Sequence, residues 1–371
     1  MAAMSSNTPL HPLRLARWTL HPIRLPYVRE VSWSDTVESA ADYLLLELET
    51  TDGVRGIAEA TVKPTWSGVS LRSLATTLEA LFLPKLIGVD LYDDAAIARA
   101  IGPIRDNLAA KALIDNACHD LRAAVRPALA ASTMPVSWTL TRAAPDAMAR
   151  EAAETASRYG ISTFKFKGGQ GIATDLAGIA AVRDALNSHV NIYVDANWAY
   201  SPADAIPYVR ELANAGCMFA EDPCELLADN SFAALQAQVP LTLLVDIACT
   251  GPRDMGAFLA LGARAFSIKP ARTGASAAAV MAHRAHASGA GFVVGFFGES
   301  MLGALAVFDT TLRWGDAAKA ALAPPENTFF LMLREQVLST PLIVSDGAVT
   351  LPPRAGYAAL IDRGAVARFR V

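Results

Sequence analysis

Cysteine is scarce in this 371-residue chain, with four residues at 118, 217, 224 and 249 that show neither CxxC spacing nor a compact framework. A disulfide-stapled scaffold is excluded, and free buried thiols in a reducing, cytoplasmic setting are expected. Only six histidines are present, and no cluster of histidine with cysteine offers a zinc site. Basic charge is not in excess either: 32 Lys and Arg against 36 Asp and Glu leave a net charge of −4, so no polyanion-binding field exists and no nucleic-acid partner is expected. Long apolar runs are missing as well. The best candidate, around 291–298, is short and broken by glycine, which excludes a membrane span. What the chain has instead is 53% hydrophobic and 18% charged residues, ample material for a buried core. At about 150 residues per domain, two or three domains or one large barrel with an attached module are expected.

The first 130 residues read as an α+β module. Strand-like stretches at Arg14–Pro26 and Tyr43–Glu49 are followed by the turn Thr51-Asp52-Gly53, which suggests a meander. The arginines at 14, 17, 24 and 29, ahead of the first acid at Glu30, faintly resemble a transit peptide, but Leu13–Leu20 also reads as an ordinary first strand. Helical patterns follow over Ser70–Leu83 and Ala95–Ala124. From Val136 the rhythm changes. Short apolar strands begin near 136, 163, 191, 218, 242, 265 and 292, and alanine-rich helical segments fill the gaps. Seven such units in succession predict parallel βα repeats closed into a barrel. An open doubly wound sheet would carry a glycine-rich turn after its first strand, whereas Thr141–Pro145 holds no glycine. Near the end, Leu342–Leu351 with the turn Ser345-Asp346-Gly347 reads as a hairpin, and the tail is expected to return to the N-terminal module.

Charged residues fall at one end of these strands: Lys165 and Lys167, Asp195, Glu221, Asp246, Lys269 and, beyond the seventh, Glu299. The C-terminal strand ends of a parallel barrel ring one face, so these side chains are expected to converge on a common cavity. Any one of them alone is more simply a surface or capping residue; in register on consecutive strands they predict an active site. Three carboxylates supply hard oxygen ligands suited to Mg²⁺ or Mn²⁺. A lysine acting as a base near neutrality must fall from about 10.4 toward 7–8, which neighbouring positive charge promotes. The combination predicts removal of a proton alpha to a carboxylate through an enediolate, with a lysine moving the proton.

These residues resemble the enolase superfamily, most closely its muconate lactonizing enzyme (muconate cycloisomerase) subgroup. The similarity rests on Asp52–Ala60, Ala112–Leu121, Thr163–Lys167, Val194–Asn197, Glu221–Pro223, Asp246 and the glycine-rich Gly295–Gly303, and spans nearly the whole chain. It implies a modified (β/α)7β TIM barrel over residues 131–328, with an α+β capping domain built from residues 1–130 and from a C-terminal segment, 329–371, that returns to it. It also implies Mg²⁺ or Mn²⁺ on Asp195, Glu221 and Asp246, Lys167 and Lys269 as acid/base pair, and Lys165 as a supporting cation near the substrate carboxylate. Glu326 is implied as the eighth-strand glutamate, with Ala320–Pro325 reading as an insertion just before it. A homo-oligomer, often an octamer, is part of the same implication.

Departures from the pattern bear on the substrate. Ile247 stands where a glutamate normally follows the third ligand, and Pro270–Ala275 lacks the usual paired glycines and carries Arg272. Specificity is expected from cap loops Leu25–Ser34 and Val62–Ser67, with Arg29 pairing a distal carboxylate, Trp66 walling an apolar pocket, and Asn197 and Glu299 touching substrate. The expected activity is that of a muconate cycloisomerase-like isomerase or lyase on a small carboxylic acid. The alternatives on the same site are an o-succinylbenzoate synthase-like dehydratase and an N-acylamino acid or dipeptide racemase. From other classes come a non-catalytic small-acid-binding barrel and a lysine Schiff-base enzyme, the latter disfavoured by the carboxylate arc.

Overall fold

The computed structural model describes residues 11–33, 36–186 and 190–371. The N-terminal part opens with an antiparallel meander of β1 (Leu15–Ser32), β2 (Val37–Thr50) and β3 (Arg55–Val62), with β2 in the centre. Pro22 and Pro26 are tolerated because β1 is an edge strand. The central run Tyr43–Leu48 is apolar on both faces apart from Glu47, and alternation splits it. Leu44, Leu46 and Leu48 join Leu113, Leu121 and Phe82 in one core, while Tyr43 and Leu45 belong to the core shared with the barrel. Gly56 on β3 is required by contact: a Cβ there would lie 2.5 Å from the Leu121 backbone of the helix Leu108–Ala124. The single helix expected over Ala95–Ala124 is two helices, Asp94–Ile101 and Leu108–Ala124. Gly102-Pro103 interrupts it, since the residue before proline disfavours helix. The expected cap loop Leu25–Ser34 is largely strand, because β1 runs on to Ser32; Ser34 itself lies outside the described residues.

β4 (Ser132–Pro135) leads into a parallel sheet of β5 (Trp138–Leu140), β6 (Thr163–Lys167), β7 (Asn191–Asp195), β8 (Ala220–Glu221), β9 (Leu243–Val245), β10 (Ala265–Ile268) and β11 (Gly291–Val294) in sequential order. Helices fill the crossovers. Four of them begin with proline in the first turn (Pro145, Pro202, Pro252, Pro270), where its missing N–H costs nothing. Alternation gives each strand one face for these helices and one for the barrel interior, where Tyr193, Phe219, Leu244, Ala265 and Val293 form an apolar layer with Ala323.

Ala323 belongs to the stretch read as an insertion, and the structure corrects that reading. Leu322 N donates to Phe292 O at 2.7 Å, Glu326 N to Val294 O at 3.0 Å, and Ser137 N to Pro325 O at 2.9 Å, so residues 321–326 bridge β11 to the start of β5 and close the barrel. Pro324 and Pro325 lack the N–H of a regular ladder, which is why the seam does not read as a strand in sequence.

The hairpin β12 (Ile343–Ser345) and β13 (Ala348–Leu351) pairs with β4, while the chain's last residues return to the cap, with Arg370 bridged to Ile23 and Arg363 paired with Glu47 at 2.6 Å. A buried knot fastens this tail. Asp309 accepts from Arg354 at 2.6 Å and from Tyr357 Oη at 2.9 Å, and Arg313 lies 3.0 Å away. Burial opposes ionisation of Asp309, but Arg354 and Arg313 outweigh it and hold the carboxyl below its usual value of 3.8. A depressed carboxyl contributes stability that is complete above the unfolded value and is lost as pH falls. Asp309→Ala strands a buried arginine and is expected to cost about 3–5 kcal/mol in urea unfolding, and the acid side of the stability profile should flatten in the variant.

Candidate active site

Strand register alone brings the charged residues together. Lys167 pairs with Asp195 across β6 and β7, Asp195 with Glu221 across β7 and β8, and Asp246 follows directly on β9. Asn197, Trp198 and Asp222 at these strand ends have positive φ of 48°, 61° and 42°. The surrounding rim holds these non-glycine residues in a region of backbone space that they adopt at a cost.

Lys165 is fully buried beneath the rim. Its Nζ lies 2.7 Å from Glu221 Oε2, 3.1 Å from Asp195 Oδ2 and 3.2 Å from Glu326. Burial works against its charge, but Glu221, Glu326 and Asp195 outweigh this and raise the ammonium well above the ordinary lysine range. Expected near the substrate carboxylate, Lys165 sits instead under the carboxylates as their counter-ion. Glu326 is buried with it and accepts from Tyr193 Oη at 2.6 Å.

Above this hub, a cavity of about 250 Å³ opens beneath the cap. Lys167 enters it from β6, donating to Asp195 Oδ2 at 2.6 Å and Asn197 Oδ1 at 3.1 Å. From the other flank, just past β10, comes Lys269, 2.5 Å from Asp246 Oδ2, with Arg272 Nη1 3.0 Å from the other carboxylate oxygen. Gly295 makes room for that lysine, because a Cβ there would lie 2.6 Å from Lys269 Cε. Desolvation is overcome by the paired cations at Asp195 and Asp246, whose carboxyls are held far below the usual range.

The donor chemistry fits a hard divalent cation. Glu221 Oε2 and Asp246 Oδ1 are buried beside cations but without a well-directed hydrogen bond, and each could turn to a metal. Among the described residues no three ligating side chains already close on one point, since each carboxylate is swung onto a lysine or arginine. Asp222 braces the backbone at Asp246 by accepting from Ile247 N at 2.8 Å and Asp246 N at 3.3 Å; burial, with Asp246 and Asp195 nearby, pushes its carboxyl up to about 8.

Other expected residues divide. Asn197 and Trp66 line the cavity. Arg29 does not: it donates to Glu151 at 2.5 Å at a separate surface groove, because the extended β1 carries it past the rim. Glu299 is also turned away, buried and accepting from Phe297 N at 2.9 Å within its own turn. Sequence reasoning missed Trp33, Phe296 and Phe297 in the wall, and Arg142, which lies two residues beyond β5 and donates to Gly168 O at 2.7 Å. The strand-end rule that found the lysines would have found Arg142 too.

A closed parallel barrel with acids and lysines on its C-terminal rim, roofed by a separate α+β domain, defines a capped-barrel enzyme. The chain belongs to the enolase superfamily, in its mandelate racemase and muconate lactonizing enzyme group: residues 13–130 match the "Mandelate racemase / muconate lactonizing enzyme, N-terminal domain" and residues 147–365 the "Enolase C-terminal domain-like" family. It is 27% identical to muconate cycloisomerase 1-1 of Acinetobacter lwoffii, covering 94% of each chain. An N-succinyl-L-Arg/Lys racemase of Bacillus cereus is 29% identical over 78% of this chain and 81% of its own. The structure of a muconate lactonizing enzyme from Pseudomonas fluorescens, complexed with muconolactone, superposes with a TM-score of 0.86 at 25% identity, covering 97% of this chain and all of that one. The chain is thus an enolase-superfamily isomerase.

Proposed function

We propose that the protein moves a proton alpha to the carboxylate of a small acid, as a muconate cycloisomerase-like enzyme dependent on Mg²⁺ or Mn²⁺. Asp195, Glu221 and Asp246 would hold the ion, which when bound supplies Lewis-acid stabilisation of charge developing on the substrate carboxylate. The observation that carries the reading is that Lys167 and Lys269 enter one cavity from β6 and from just beyond β10, on opposite flanks of the carboxylates. One removes or returns the proton while the other faces the opposite side of the reacting carbon. Lys165 stays beneath them as a fixed charge, and the aromatic roof excludes water.

The lining favours the muconate-type branch over a substrate with a cationic side chain. Arg142, Lys167, Lys269 and Arg272 all face the cavity, and among the described residues its one carboxylate is Asp246, already paired with two of them. An added cation would find no free partner. The test is ¹H NMR in D₂O with Mg²⁺, using muconates, muconolactones, N-acyl amino acids and succinylbenzoate precursors. Deuterium incorporation into muconolactone, with none into N-succinyl-arginine, is expected. Exchange confined to an N-acyl amino acid would move the protein to the racemase branch, and binding without any exchange would make it a non-catalytic small-acid barrel.

A further inference from the structure

The cap holds a buried cation that the proposed chemistry does not use. Lys63 follows β3 and is 2% exposed. Its ammonium forms an ion pair with Glu38 and donates to Tyr27 Oη at 3.2 Å. Three rings surround it, with centroids at 5.1 Å (Trp33), 5.6 Å (Tyr27) and 5.8 Å (Trp66). Glu38 also accepts from Trp33 Nε1 at 2.8 Å, so one ion pair grips this tryptophan by its polar edge and, through the ammonium, by its face. Trp33 and Trp66 meet edge to face at 5.1 Å, and Trp66 packs on Phe297 at 5.5 Å. Both tryptophans line the cavity; Lys63 and Glu38 stand behind them.

Filling this space would need only an apolar side chain. A desolvated ammonium is costly, and what it adds is direction: it favours ring faces over edges and ties the turn Pro64–Ser67 to the start of β2. We propose that Lys63 is a positioning residue for substrate recognition, fixing the orientation of Trp33 and Trp66 and so the shape of the roof against which the substrate's non-reacting part packs. This rests on the cavity being the active site.

The experiment compares wild type with Lys63→Met, Lys63→Arg, Trp66→Phe and the double variant Lys63→Met/Trp66→Phe. With the substrate found in D₂O, Lys63→Met should raise KM about tenfold with kcat within about threefold, the pattern of lost binding common to ground and transition states. Lys63→Arg, which keeps a cation over the rings, should recover most of the difference. The double variant should lose less than the two single effects combined, because part of the Lys63 effect is exerted through the ring of Trp66. Unchanged KM, a fall in kcat alone, or strict additivity would overturn the proposal. Near-UV circular dichroism of the substrate-free protein is a readout independent of the reaction: Lys63→Met should weaken the tryptophan bands and Lys63→Arg restore them. If no substrate reacts but these bands change as expected, the proposed activity falls and the positioning role stands; unchanged bands overturn the role itself. Should Lys63→Met fail to fold, Glu38→Gln tests the same pair, with a smaller shift in the same direction expected.

Discussion

Replacing Lys167 or Lys269 with alanine lowers metal-dependent deuterium incorporation by about 10²–10⁴-fold, the usual contribution of a positioned acid or base. Both side chains face the cavity with carboxylates on one side and open space on the other. Each variant is expected to fold, because no carboxylate is orphaned. Asp195 keeps Lys165 at 3.1 Å when Lys167 is removed, and Asp246 keeps Arg272 at 3.0 Å when Lys269 is removed. Thermal melts and circular dichroism check this, and NMR exchange gives the rate. Exchange persisting at the wild-type rate in both variants would remove the lysines from the mechanism. If a single base operates, one variant loses exchange while the other loses only turnover to product.

Chelation of divalent ions abolishes exchange, and added Mg²⁺ or Mn²⁺ restores it. The Lewis-acid contribution is several kcal/mol, so the expected loss is at least about 10³-fold. Glu221→Gln is the matching variant. Its side chain keeps size and burial but loses one of three charges, so calorimetric titration with Mn²⁺ should show binding to wild type and little to the variant. Full exchange in chelator, or equal Mn²⁺ affinity in both proteins, would overturn the metal assignment.

The barrel and its arc of carboxylates were legible because parallel strands impose a local rule. A strand is short and its helix returns the chain at a constant interval, so acids and lysines at strand ends must share a face. Lys167, Asp195, Glu221, Asp246 and Lys269 all obey it. The rule fixes an end but not a depth: it leads one to expect Lys165, two residues below Lys167, at the substrate, whereas it lies under the carboxylates. Arg29 failed for a different reason: β1 continues to Ser32, and a residue expected on a loop is held on a strand beside Glu151. Apart from Trp66, the aromatic roof was not legible, because Trp33 and Phe297 are 264 positions apart and are joined through Trp66, on which both pack. No periodicity records such a meeting.

The seam at residues 321–326 is also the stretch that delivers Glu326 to Lys165, 161 positions away. The same six residues therefore seal the barrel and supply one of the three carboxylates around the cation at its heart. A chain that has not yet seated this stretch has a leaking barrel and a lysine short of one counter-charge, so a partly assembled molecule cannot carry a finished site. Barrel closure and the charge balance beneath the rim thus depend on the same proline-bearing strip.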